Sequence, residues 1–129
     1  MRSKEREKKI RIPPNHTVKI RGPLLEILEH PAVQRLRYIG QLGLDVPVVY
    51  PGAFESRLVH SIDTYRISNL MTTHLVEDEW LSKDEKKHVD AAAFIHDIEH
   101  LCGSHNLDSF EEFGSHNTRT KNMRNYDLL

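Results

Sequence analysis

At 129 residues the chain can bury one core but has no room for two, so a single compact domain is expected. With 38% hydrophobic and 29% charged residues, and no apolar run near the roughly 20 residues that a membrane helix needs, a soluble protein with no membrane partner is expected. The charged start, Met1-Arg-Ser-Lys-Glu-Arg, lacks the apolar core of a secretory signal, and the single cysteine, Cys102, excludes an intrachain disulfide, so a cytoplasmic location is expected. A formal net charge of −1 leaves no global footprint for nucleic acid, which is not expected as a partner. Only residues 1–12 are locally basic. There Arg2, Lys4, Arg6, Lys8, Lys9 and Arg11 outweigh Glu5 and Glu7, which reads as a solvated, partly disordered arm before a domain over 13–129.

Pro13-Pro14 ends the arm, and Val18-Lys19-Ile20 reads as a short extended segment before Gly22. Helices follow. Pro23 suits a first helical position, with Leu24, Leu25, Ile27 and Leu28 as the apolar residues of a short helix. Pro31 opens a second, in which Val33, Leu36 and Ile39 are apolar until Gly40 or Gly43 stops it. Val46 to Gly52 reads as extended or turn-like because its prolines remove ladder donors. From about Ser56 to Val76 the spacing of Leu58, Ile62, Tyr65 and Leu70 predicts a long helix. Ser82 and Glu85 match a capping box and start the helix that carries Val89, Ala92, Ala93 and Ile95 towards His96. Gly103 marks a break, and a last helix is predicted from Ser115. Strand content should be small, and the fold class is all-α.

The chemistry-bearing residues fall in two places. His60 lies within the long predicted helix, with Arg57 three residues earlier on the same face. A guanidinium there can meet a phosphate, or it can form a salt bridge to a nearby carboxylate such as Glu55 or Asp63. The second place is His96-Asp97, followed closely by His100, His105, Asp108 and His116. Two imidazoles and a carboxylate suffice to hold a transition-metal ion able to activate water. Adjacent residues differ by about 100° around a helix, so His96 and Asp97 can converge on one ion only where that helix is ending.

The ordered set Gln34-Arg-Leu-Arg-Tyr-Ile-Gly-Gln-Leu-Gly, Tyr50-Pro-Gly-Ala, Arg57-Leu-Val-His60-Ser, His96-Asp-Ile-Glu-His100 and Gly103-Ser-His105 resembles the HD-domain phosphohydrolases. Among these it is similar to the branch of deoxynucleoside triphosphate triphosphohydrolases that carry SAM and HD domains. The resemblance implies an all-α HD bundle, shortened here at its C-terminus, and a metal held by His60, His96 and Asp97. It implies substrate phosphate near Arg57, and active-site polar or proton-transferring groups at His100, His105, Asp108 and His116. Residues Gln34 to Arg37 resemble a segment used for effector or subunit contacts. The family's further metal-binding aspartate has no clear counterpart: Asp127 is the only late candidate, and Asp90 lies about 10.5 Å up the same helix. Glu99 stands where a glycine is usual, and Asn117 where a glutamate is.

The resulting expectation is a metal-dependent phosphohydrolase acting on nucleotides, most like a dNTP triphosphohydrolase. The alternative is a catalytically impaired HD-like module that binds nucleotide or a partner protein. Nitrogen and oxygen ligands suit iron, manganese, zinc or nickel as the divalent ion. A homo-oligomer is expected, because a shortened bundle leaves apolar helix faces uncovered.

Overall fold

Ile10 and Ile12 alternate with charged residues, as do Val18 and Ile20, and this period of two builds a hairpin. In the computed structural model, which describes residues 6–42, 49 and 54–101, β1 (Glu7–Ile12) pairs antiparallel with β2 (His16–Arg21), Ile10 opposite Val18. Ile12, Val18 and Ile20 are buried, while Lys9 and Lys19 face each other on the outer side. Pro13 and Pro14 fall in the turn, where their missing N–H groups cost no ladder bond. Among the described residues the structure is mostly helical with a small two-stranded sheet, so the all-α expectation holds in part, and residues 7–12 form a strand rather than the expected solvated tail. Ile10, opposite Val18, and Ile12, buried in the core, outweigh the surrounding charge.

The short helices begin where the prolines place them. α1 (Pro23–Glu29) buries Leu25 and Leu28, and α2 (Pro31–Gln34) is capped by His30, whose ring accepts from the Ala32 amide at 3.2 Å. The chain then tightens into a 3₁₀ turn, Arg35–Tyr38, that drives Leu36 fully into the core, and it leaves helical geometry at Ile39, just before Gly40. An antiparallel bridge between Gly40 and Ser56 follows, with Gln41 N–H donating to Glu55 O at 2.9 Å and Arg57 N–H to Ile39 O at 2.8 Å. This bridge sets the start of α3 (Arg57–Glu77), whose cap is the Ser56 hydroxyl.

α3 ends in a Schellman arrangement. Trp80 N–H reaches back to Leu75 O at 2.8 Å and Glu79 N–H to Val76 O at 3.2 Å, with Glu79 itself at φ 60°, where glycine is the usual occupant. α4 (Lys83–Ile95) then runs back along α3, and both halves of the Ser82–Glu85 capping box form. The predicted bounds of these two helices hold to within a residue or two. The expected extended stretch 46–52, apart from Val49, and the helix from Ser115 lie outside the described residues.

Leu58, Ile62 and Tyr65 of α3 pack with Phe94 of α4, Leu28, Val33 and Leu36 into one apolar cluster, with Tyr65 and Phe94 edge-to-face at 6.0 Å. Each such side chain contributes about 1.5–3 kcal/mol on burial. The opposite side of α3 exposes Ile67, Leu70, Met71 and Leu75. Among the described residues no helix is long and apolar enough to cross a membrane.

Halfway along the helix pair a polar knot takes the place of apolar packing. Asp90, buried on α4, accepts from Ser68 at 2.8 Å, Asn69 at 3.0 Å and Thr72 at 3.0 Å on α3, and from Lys86 at 2.7 Å on its own helix. Burial pushes the Asp90 carboxyl up, but the bonds from Lys86, Ser68, Thr72 and Asn69 outweigh it and hold the group below the ordinary carboxylate value. Asp90 therefore stabilises the fold at pH above its unfolded value of about 3.9, and that contribution fades as pH falls through the lower folded value. Asp90→Ala should cost about 3 kcal/mol in urea unfolding at pH 7, because four donors lose their acceptor, and the difference from wild type should shrink towards pH 3.

Candidate metal centre

Because α3 and α4 are antiparallel, the first turn of one lies beside the last turn of the other, and the two histidine clusters meet there. His60 stands in the first turn of α3, four residues past the Ser56 cap. His96 is the C-cap of α4, and Asp97 begins the turn that follows, in which Ile98 N–H bonds Ile95 O at 3.0 Å and His100 N–H bonds Asp97 O at 3.2 Å. The helix ends where convergence of the neighbouring pair requires it to end.

His60, His96 and Asp97 each offer a ligand atom, and these atoms all lie within 4.8 Å of one another. His60 Nε2 is 3.9 Å from Asp97 Oδ2, and His96 Nε2 is 3.3 Å from Asp97 Oδ1. The two imidazoles meet edge to face, with centroids 5.2 Å apart. His96 Nδ1 lies 2.9 Å from Ala93 O, and a carbonyl only accepts, so Nδ1 is the donor there and Nε2 is the nitrogen turned towards Asp97. Among the described residues this is the group able to hold a metal. Two imidazole nitrogens and a carboxylate oxygen at this spacing fit a divalent transition ion, whose ligands sit at about 2.0–2.2 Å.

The centre has a closed side and an open side. His60 and His96 keep 36% and 37% of their side-chain surface exposed, whereas Asp97 keeps 8%, Arg57 2% and His100 1%. Arg57 is the surprise. Instead of pairing with Glu55 or Asp63, it donates from Nη1 to Asp97 Oδ2 at 2.6 Å, forty residues away, and from Nη2 to Gln41 O at 3.1 Å. Asp63 pairs with Arg66 at 2.6 Å. His100 Nε2 is 3.4 Å from Asp97 Oδ1. Burial pushes the Asp97 carboxyl up, but the bond from His100, the nearby His96 and the Arg57 guanidinium together hold it well below the usual carboxylate range. It stays an anion at any physiological pH.

The remaining candidates divide cleanly. His100 joins the centre through Asp97, whereas His105, Asp108 and His116, with Asp127, lie outside the described residues. Asp90 belongs to the knot between the helices, not to the centre. The sequence places Arg35 only in the 34–37 segment likened to effector or subunit contacts and gives no sign of its tie to the centre, where Nη1 donates to His100 O at 2.6 Å and Nη2 donates to Ile98 O. No local signal marks it, since its partners are more than sixty residues away.

Comparison with known proteins gives the class. The chain is related to the HD-domain phosphohydrolases, at modest identity. It is 34% identical over 88 residues to human deoxynucleoside triphosphate triphosphohydrolase SAMHD1, a match covering 66% of this chain and 14% of that protein. An uncharacterised protein of Methanocaldococcus jannaschii is 34% identical over 106 residues, or 79% of this chain and 22% of its own length. A solved phosphohydrolase from Bacteroides thetaiotaomicron superposes with a TM-score of 0.74 at 32% identity, over 96% of this chain and 33% of that one. The chain thus spans under a quarter of these curated relatives and a third of the solved neighbour. No family model matches it.

Asp97→Asn keeps the volume and removes the anion, so it should lower affinity for Mn²⁺ or Zn²⁺ by about 100-fold or more in calorimetric titration, beyond the 10–100-fold typical of outer-shell changes. His96→Ala should do the same while leaving the circular-dichroism spectrum unchanged, because that ring is partly exposed.

Proposed function

We propose that the chain is a metal-dependent phosphohydrolase of the HD type acting on a nucleotide, with deoxynucleoside triphosphates the favoured substrates. The observation that carries this reading is the convergence of His60, His96 and Asp97 at the shared end of α3 and α4. A divalent iron, manganese, zinc or nickel ion held there would supply an activated water and polarise a phosphoryl oxygen.

The chain's own residues then have distinct tasks. Asp97, kept ionised and buried, supplies the anionic ligand, and Arg57 fixes its orientation. Arg57, the phosphate contact that the resemblance suggests, is buried against Asp97 and would act on a bound phosphate only through its charge from the closed side, near the positive end of the α3 dipole. His60 and His96 line the side open to solvent, which is the side from which a substrate phosphate would approach. His100 holds the second oxygen of Asp97, and His105, Asp108 and His116 are the proposed proton-transfer and phosphate-contacting groups.

A second reading is supported by the ligand count. Among the described residues the metal group has three members, with no further carboxylate beside them, as a binding module that no longer hydrolyses would also show. A ligand set of three still leaves positions for water and substrate, as in catalytic zinc sites, so the enzyme reading stands first.

The deciding measurement is release of phosphate, pyrophosphate and triphosphate from a panel of ribo- and deoxyribonucleotides with each metal in turn. Weak hydrolysis that EDTA abolishes and Mn²⁺ restores is expected, with none from Asp97→Asn. Nucleotide binding without turnover under every metal would replace the enzyme by the binding module.

A further inference from the structure

The turn that carries the centre is held from outside by a residue that belongs to neither α3 nor α4. The helix α4 ends at Ile95, and the carbonyls of the turn that follows can accept from donors outside the helix. Two of them, on Ile98 and His100, are taken by the guanidinium of Arg35, from Nη2 and from Nη1 at 2.6 Å respectively. The planar fork fixes the orientation of both carbonyls at once, which a lysine ammonium cannot do. Between them sits Glu99, itself buried at 2% exposure. His100, thus fixed at its carbonyl, is tied to Asp97 twice more: its amide donates to Asp97 O at 3.2 Å, and its ring faces Asp97 Oδ1 at 3.4 Å.

We propose that Arg35 is a positioning residue for the metal centre, clamping the 98–100 turn from the 3₁₀ segment and thereby fixing His100 against Asp97 so that the carboxylate is preset towards His60 and His96. The inference rests on the metal reading above and extends it to a residue that touches neither ligand nor substrate. It also gives the 3₁₀ tightening at Arg35–Tyr38 a purpose, since that turn is where the chain presents Arg35 to residues more than sixty positions later.

The test compares the full-length wild type with Arg35→Gln, Arg35→Lys and Thr72→Ala. The last is a control that loosens the Asp90 knot, remote from the centre. Two quantities are read: Mn²⁺ affinity by titration calorimetry, and amide hydrogen exchange of residues 96–101 in the metal-free protein. Arg35→Gln should weaken Mn²⁺ binding by about 10–100-fold and speed exchange at 96–101, as the loss of outer-shell support does elsewhere. Arg35→Lys should recover part of both losses. Thr72→Ala should lower the melting temperature yet leave both readouts at wild-type values. Should Arg35→Gln fail to fold, Arg35→Lys carries the comparison, with a several-fold loss expected.

Wild-type affinity in a folded Arg35 variant, or an equal loss in Thr72→Ala, overturns the inference and leaves the metal reading intact. A wild-type chain that binds neither Mn²⁺ nor Zn²⁺ overturns the metal reading itself, and this inference with it.

Discussion

Asp97 is a carboxylate taken out of water, and a charge in that position must be compensated by its neighbours. Arg57 and His100 do so from the closed side, and between them they join the start of α3, the end of α4 and the turn beyond. Such a pair gains little net stability from its attraction, because the cost of desolvating both ions offsets it. Removing one partner is another matter, costing about 3–5 kcal/mol through the stranded charge. The pair is therefore better understood as fixing a geometry than as strengthening a fold. It obliges the two helix ends to stay in register, and the imidazoles of His60 and His96 come together as a result.

Why the helices themselves meet in this register is a matter of packing and of the Asp90 knot. Tyr65 against Phe94 and the hydrogen bonds from Ser68, Asn69 and Thr72 to Asp90 set the sliding position of one helix on the other. A slip of one turn, about 5.4 Å, would break all of them together and separate the metal ligands, whereas the loss of any one bond leaves the others to hold the register. The core and the centre are in this sense one construction, with apolar contacts supplying energy and polar contacts supplying alignment.

The helical part of this arrangement was legible in the sequence because its signals are local. Pro23 and Pro31 at helix starts, the Ser82–Glu85 capping box, the spacing that starts the long helix near Ser56, and a helix that ends as His96 meets Asp97 all act within a few residues. His60, His96 and Asp97 were legible as a set only through the resemblance of ordered motifs, since nothing in their spacing shows that they touch. Two of the misses share one physical cause. Arg57 finds Asp97, and Arg35 finds Ile98 and His100, only once the chain has folded, and long polar side chains give no periodic trace of a distant partner. Charge density in the arm suggested a tail, yet two isoleucines facing the core were enough to order it. Asp90 reads in the sequence only against the missing metal ligand, and its part in joining the helices is not visible from its neighbours in sequence.

The chain contains a single tryptophan, and the loop that joins α3 to α4 holds it at the far end of the pair from the centre. Trp80 is 82% exposed, and the helix between it and His60 spans about 25 Å at 1.5 Å per residue. Its emission will report on solvent around that loop and be nearly silent about the centre, so intrinsic fluorescence is a poor optical probe of metal or nucleotide. The same separation makes the loop a convenient place for a dye or an affinity tag, because a label there is too remote to disturb the ligands.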